Sequence, residues 1–169
     1  MRDFTLSIYR DLLESAIKCG YSLLSYEEYL KGGFGKFIIL RHDVDRKPQN
    51  SMEIAKIQAS LGVKGSYYFR SVPESFQEKY IKAIADLGHE IGYHYEDLTL
   101  SKGNVEDALA LFKVHLERLR QFYPVSTMCM HGSPSTKWDN KDLWKKYSYS
   151  DYGIEAEPYF DIDFDQVYY

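Results

Sequence analysis

Two aspartates, Asp43 and Asp45, follow an apolar run at residues 37–40 whose composition predicts a buried strand. Side chains alternate along an extended backbone, so the two carboxylates point to one side of the strand and His42 to the other. Two carboxylates on one side can bind a cation or share a proton. They can equally cap the next helix or lie in a solvated turn, and their spacing alone does not decide between these interpretations.

Polar side chains also follow three other predicted strands. The four strand ends carry Asp43 and Asp45, then Arg70, then His94 with Glu96 and Asp97, and finally His131 with Ser133. Imidazoles and carboxylates together are ligands for a divalent metal such as zinc, and a catalytic site keeps one position for water. Such water becomes a nucleophile near neutral pH, and an unligated carboxylate beside it can act as general base. The pattern therefore predicts a divalent metal site.

The elements that would position these residues alternate along the chain. Periodicity and caps predict helices at 4–19, 25–31, 50–61, 74–87, 104–123 and 140–146, and strands at 37–42, 65–70, 90–94, 125–130, 147–154 and 159–169. Strands that alternate with helices predict an α/β fold with a parallel sheet or barrel, in which ligand groups gather at the carboxyl ends of the strands. A length of 169 residues predicts a single domain over 1–169.

Composition narrows the classes of partner and compartment. The net charge is -4, and no lysine or arginine cluster is present, so we expect no nucleic-acid partner. No apolar stretch is long enough for a signal peptide or a membrane span, which predicts a cytoplasmic protein with reduced thiols at Cys19 and Cys129. The chain stops at 167–169 without a turn, cap or polar tail, so we expect a C-terminal portion to be missing.

Four motifs lie at the predicted strand ends. They are Leu40-Arg-His-Asp-Val-Asp-Arg46, Gly65-Ser-Tyr-Tyr-Phe-Arg70, Gly88-His-Glu-Ile-Gly-Tyr-His-Tyr-Glu96 and Met130-His-Gly-Ser-Pro134. Together they resemble the polysaccharide deacetylase family, also called carbohydrate esterase family 4 or the NodB-homology domain, and especially its branch associated with surface polysaccharide biosynthesis. The resemblance implies a distorted, incomplete (β/α) barrel with parallel strands. It also implies a metal-dependent hydrolase that removes an acetyl group from a sugar or polysaccharide precursor.

The resemblance assigns roles to individual residues. Asp43 matches the general base, and Asp45 and His94 match metal ligands, with zinc as the expected ion. The family has a second ligand histidine four residues after the first, where this chain has Leu98. His131 is the natural substitute, although it can instead serve as general acid or as a structural histidine. The carbohydrate substrate is expected to contact Arg70, Tyr95, Glu96 and Ser133.

Two other functions stay open. Because Leu98 replaces a ligand, the chain can be a catalytically lapsed relative that binds a glycan or a protein partner. It can also hydrolyse a different amide or ester, since one fold hosts many functions. Three histidines are expected to be structural or to face away from the site: His42, His89 and His115.

Overall fold

The computed structural model describes residues 5–132, 136–165 and 167. Its strands are β1 (Ser22–Leu24), β2 (Phe37–Ile39), β3 (Arg41–Val44), β4 (Ser66–Phe69), β5 (Glu90–Tyr95) and β6 (Met128–Met130). Its α-helices are α1 (Leu6–Lys18), α2 (Tyr26–Leu30), α3 (Pro48–Ser60), α4 (Glu78–Asp86), α5 (Asp97–Leu100), α6 (Val105–Arg120) and α7 (Pro158–Asp161). The chain divides into two compact units, residues 1–91 and 92–169, so the single domain stays a prediction.

The strands form two sheets. β1 and β2 make a small parallel pair, and the larger sheet has the order β3-β4-β5-β6. The pairs β3/β4 and β5/β6 are parallel, with Asp43 opposite Tyr68 and His94 opposite Cys129. Strands that neighbour one another in chain order, with helices between them, are the arrangement of a (β/α) barrel that does not close. The predicted α/β class with parallel strands is confirmed.

The first unit is covered by α1 on one side of its core. Thr5 caps this helix, since its hydroxyl accepts a hydrogen bond from the Ile8 N–H. The buried face of α1 belongs to an apolar cluster of Leu13, Ala16, Leu23, Leu40 and Ile57. The capping box predicted at Ser25 is present: its hydroxyl accepts from the Glu28 N–H, and the Glu28 carboxylate accepts from the Ser25 N–H.

The predicted strand 37–42 is two strands. At Leu40 the N–H donates to Leu24 of β1 and the C=O accepts from Ser66 of β4, so the chain changes partner at this residue. The apolar run therefore belongs to the small sheet, and the aspartate-bearing strand begins only at Arg41. Hydrophobicity cannot reveal such a change, because both halves are extended and both are partly buried.

The second unit packs around α6. Its buried residues repeat at helical spacing as predicted: Ala108, Leu109, Phe112, Leu116 and Leu119. Trp144 lies on the 3-10 helix Asn140–Lys145 and packs edge-on against Phe112, with ring centroids 4.8 Å apart. This 3-10 helix is the short helix predicted at 140–146.

Two predicted strands at the end of the chain are wrong where the structure describes them. Residues 147–154 contain a 3-10 helix, Tyr149–Tyr152, which ends at Gly153 with φ of 70°. The segment 159–169 begins with α7, because Pro158 stands at its first turn and the Glu157 carboxylate accepts from the Tyr159 N–H. Residues 166, 168 and 169 lie outside the described part of the chain.

Neither cysteine is in a disulfide; Cys19 is exposed and Cys129 is buried. Within the described residues, every helix is too short or too polar to cross a membrane.

Candidate metal centre

The first unit presents Asp43 and Asp45 at the end of β3. Arg41 lies two residues before Asp43, on the same side of the strand, and its Nη2 is 3.0 Å from the Asp43 Oδ2. Val44 points the other way and is buried in the core. The alternation expected from the sequence is therefore present, and Arg41 is the ionic partner of Asp43 that the sequence did not indicate.

Ser75 holds the carboxyl ends of β3 and β4 together. Its hydroxyl donates to the Val44 C=O and accepts from the Arg70 N–H at 3.0 Å. Ser75 is fully buried, so both bonds are shielded from water. The backbone at the two strand ends is fixed, including the segment that carries the aspartates.

His42 is held in a polar network away from the aspartates. The Gln58 amide donates to its Nε2 at 2.6 Å, and the Tyr67 ring stacks on it at 4.7 Å. Burial lowers the pKa of His42 to about 4, with smaller contributions from the charges of His89 and Arg41. His42 is neutral at neutral pH and has a structural role.

His94 in the second unit has a defined tautomer. It is 2% exposed, and its Nδ1 lies 2.9 Å from the backbone oxygen of Cys129. A carbonyl oxygen only accepts, so Nδ1 carries the proton and Nε2 keeps the lone pair. Metal-binding histidines are oriented in this way, with one ring N–H donated to a carbonyl and the other nitrogen turned to the ion.

His131 faces this lone pair. Its Nδ1 is 3.1 Å from the His94 Nε2, and the two rings are nearly perpendicular with centroids 4.8 Å apart. Two nitrogens at about 2.0–2.1 Å from a tetrahedral zinc are separated by about 3.3 Å. The pair thus has the donor chemistry and nearly the separation of two ligands of one ion, and the residues present fit a divalent metal.

Asp97 is occupied inside the second unit. It accepts from the Tyr93 hydroxyl with both oxygens at 2.8 Å and from the His115 Nδ1 at 2.7 Å. Burial raises the pKa of Asp97, although its bonds with His115 and Tyr93 oppose the shift. Leu98, which stands where the family has a ligand, is buried in the core. Asp97 is therefore a structural acid and does not face a metal.

Tyr95, one of the expected substrate contacts, lies in the core of the second unit. Its ring is fully buried and packs edge-on against Phe112 and Trp144, so no face is exposed for a sugar to stack on. The whole of β5 is buried, including Tyr95. Trp138 is half-buried, and its indole lies against Gly103. A Cβ at Gly103 would come within 2.2 Å of the Trp138 Nε1.

The structure describes two of the other three expected substrate contacts. Arg70 is half-buried at the end of β4, and Glu96 is buried immediately before α5. Ser133 lies outside the described residues. His89 is structural as predicted, since its Nδ1 accepts from the Gly65 N–H and its Nε2 donates to the Ala55 C=O.

Two residues beside the histidines carried no signal in the sequence. Glu157 is fully buried and accepts from the N–H of Met130 and of Tyr159 at 2.8 and 2.6 Å. Burial raises the pKa of Glu157 to about 7 despite these two bonds. Asn140 donates to the His131 C=O at 3.0 Å. Both act on the backbone, and side-chain motifs do not reveal such contacts.

No family model and no curated protein matches the sequence. Solved structures do match. IcaB from Ammonifex degensii has a TM-score of 0.59 and 12% identity over 83% of this chain and 71% of that one. A family 4 carbohydrate esterase from Bacillus anthracis has a TM-score of 0.51 and 17% identity over 92% of this chain and 70% of that one. The resemblance predicted from the motifs is confirmed as a likeness of fold, and the chain has the incomplete (β/α) barrel of a family 4 carbohydrate esterase.

Proposed function

We propose that this protein is a metal-dependent hydrolase that removes an acetyl group from a sugar or polysaccharide precursor. The observation that carries the proposal is the histidine pair, in which the Cys129 carbonyl leaves the His94 Nε2 as a lone-pair donor opposite the His131 Nδ1. The likeness of fold to a carbohydrate esterase supports the substrate class. Neither neighbour exceeds 17% identity, so the reaction is argued from the residues of this chain.

We infer that Asp45 joins His94 and His131 as the third metal ligand. Among the described residues, these three are one candidate group of metal ligands. A second such group consists of Asp43, His94 and Cys129. We favour the first group because it uses both members of the histidine pair and leaves Asp43 available as a base. Two imidazoles and one carboxylate are a ligand set of catalytic zinc.

A zinc ion bound there would polarise the acetyl carbonyl and lower the pKa of a water molecule. Side chains of the protein act in the remaining steps. Asp43 takes the proton from the attacking water, and the ion pair with Arg41 keeps its carboxylate in one orientation. The water oxygen forms a bond to the acetyl carbon, the bond from that carbon to the sugar nitrogen or oxygen breaks, and the leaving group takes the proton that Asp43 accepted. The products are acetate and the free amine or hydroxyl.

The substrate contacts expected from the resemblance stay proposals. Arg70 is half-buried and offers a guanidinium for hydroxyl or carbonyl oxygens of a sugar. Glu96 stays a proposed contact, and so does Ser133, which the structure does not describe. Tyr95 also stays a proposed contact, and its ring is buried in the core.

A lapsed relative is the second candidate, and one observation favours it. Leu98, at the position of a ligand histidine in the family, is buried and apolar. If His131 does not compensate for that loss, the chain binds a glycan or a protein partner without hydrolysing it.

Metal content and acetate release separate these candidates. Protein purified without chelator is expected to contain one equivalent of zinc by mass spectrometry and to release acetate from an N-acetylated chito-oligosaccharide. Asp45→Ala and His94→Ala should lose both properties. Asp86→Ala is the matched control, because Asp86 is an exposed partner of Lys82 and should change neither. Metal-free protein that binds the oligosaccharide without releasing acetate would establish the lapsed relative.

A further inference from the structure

Asn140 connects two segments that each carry a histidine. Its side chain is 1% exposed and makes two hydrogen bonds to the backbone. The Oδ1 accepts from the Thr99 N–H at 2.9 Å, and the Nδ2 donates to the His131 C=O at 3.0 Å. The partners fix the orientation of the amide, since an N–H only donates and a carbonyl only accepts. Thr99 lies on α5, five residues beyond His94.

The bond to Asn140 completes the constraint on the backbone of His131. The His131 N–H donates to the Tyr95 C=O at 2.9 Å, and the preceding N–H, that of Met130, donates to Glu157. With its C=O held by Asn140, His131 has a fixed peptide group on each side of its Cα. The direction in which the imidazole leaves the chain is thereby restricted before any ion binds.

Asn140 is itself on a rigid support. It is the first residue of the 3-10 helix Asn140–Lys145, and Asp139 caps that helix by accepting from the Lys141 N–H. Leu143 and the ring of Trp144 anchor the same helix in the aromatic core. A buried amide on an anchored helix costs little additional entropy to hold in place. Asn140 can therefore hold the His131 backbone in a fixed position relative to the core.

We propose that Asn140 is a positioning residue that holds His94 and His131 at the separation required to bind one metal ion. This proposal rests on the proposed function in that it concerns the same metal. It goes further by assigning the geometry of the pair to a side chain that does not touch the ion. Groups that orient metal ligands from outside the ligand set change metal affinity by about 10- to 100-fold when removed.

The test uses Asn140→Asp in the full chain. The aspartate keeps an acceptor for the Thr99 N–H but places a carboxylate against the His131 C=O, which removes the donor. We expect zinc affinity, measured by competition with a chromophoric chelator, to fall about 10- to 100-fold. Asn104→Asp is the matched control, because Asn104 caps α6 by accepting from two N–H groups and an aspartate does the same. Its zinc affinity should equal that of the wild type.

Nitrogen-15 NMR of the metal-free protein gives an independent measurement. We expect Asn140→Asp to shift the ring nitrogens of His94 and His131, while those of His89 and His115 keep their wild-type positions. A general loss of structure would shift all four, so this pattern separates positioning from folding. The measurement needs no metal. A wild type that binds no zinc would therefore contradict the proposed function and still leave the role of Asn140 tested.

Asn140→Ala removes the donor without burying a charge and covers the case in which the aspartate does not fold. A folded Asn140→Ala protein should also show weaker zinc binding and the two shifted histidines. Wild-type zinc affinity with unshifted His94 and His131 in either folded variant would overturn the proposal. If neither variant folds, Asn140 is a determinant of folding and the positioning role is likewise rejected.

Discussion

The backbone carbonyl of Cys129 determines which nitrogen of His94 can act as a ligand. The sequence identified His94 as a candidate from its place at a strand end, but the tautomer depends on a carbonyl 35 residues away. The ion pair between Asp43 and Arg41 was likewise not predicted from the sequence. Single residues were thus predictable by type and position, whereas their protonation and partners were not.

Glu157 should make the stability of the protein depend on pH. Burial raises its pKa to about 7 in the folded state, from 4.5 in an exposed chain. The folded state therefore holds the proton more tightly, and the associated stability is complete below pH 4.5 and is lost as pH rises to about 7. The change is of the order of 3 kcal/mol. Urea unfolding at a series of pH values measures it.

Glu157→Gln should flatten this part of the pH profile, because the amide does not titrate. Glu155→Gln is the control, since Glu155 is exposed and its replacement should leave the profile of the wild type. A Glu157→Gln profile that still falls between pH 4.5 and 7 would assign the dependence to another group.

Position 65 requires glycine because the side chain of Gln58 leaves no room for a Cβ. A Cβ at Gly65 would lie 2.7 Å from the Gln58 Oε1, which already accepts from the Tyr67 hydroxyl. Gln58 is fully buried and its amide also donates to His42, so it cannot move without breaking bonds. We expect Gly65→Ala to lower the free energy of unfolding by about 1–3 kcal/mol. Urea denaturation measures the loss.

Gly35→Ala is the control for this steric argument, because a Cβ there meets nothing within 4 Å and its φ is not positive. Its effect should stay within about 0.5 kcal/mol. Equal losses in the two variants would show that the contact with Gln58 is not the cause.

At the level of elements, the sequence predicted helices better than strands. The stripe of α6 and the capping box at Ser25 were correct because both are local patterns. The strand β1 was missed because three residues carry no periodicity, and the change of partner at Leu40 depends on contacts distant in sequence. The tyrosine-rich segment 147–154 favoured a strand by composition, yet its aromatic rings pack against the α6 core in a 3-10 conformation.

Ser75 should stabilise the ends of β3 and β4. Replacing it with alanine removes the hydroxyl that donates to the Val44 C=O inside the core. A buried acceptor deprived of its donor costs about 1–3 kcal/mol, and we expect a loss of that size for Ser75→Ala in thermal or urea unfolding. Ser15→Ala, on the exposed side of α1, should change stability by less than about 0.5 kcal/mol. A loss no larger than that of the control would mean that the strand ends do not depend on Ser75.

For the whole molecule, the fold is similar to that of two solved structures although most of the sequence differs from theirs. Identity to the two solved structures is 12% and 17%, and both alignments cover more than four fifths of this chain. The order of strands and helices can be similar at such low identity because it depends on the pattern of apolar residues. A ligand set depends on individual side chains, so both Leu98 and the candidate substitute His131 could be read in the sequence. The distance of 3.1 Å between the His131 Nδ1 and the His94 Nε2 required the three-dimensional structure.

Zinc should stabilise the whole protein in a way that identifies the ligand set. An ion that binds only the folded state adds about 2.7 kcal/mol at a free concentration of 100 times its Kd, which raises the thermal midpoint. The two candidate groups share His94; one adds Asp45 and His131, and the other adds Asp43 and Cys129. We expect His94→Ala and His131→Ala to abolish the shift in midpoint and Cys129→Ala to keep it, each variant being compared with its own metal-free form. A shift that is lost in Cys129→Ala but retained in His131→Ala would assign the ion to the group with Asp43, and Asp43 could then no longer be the free base.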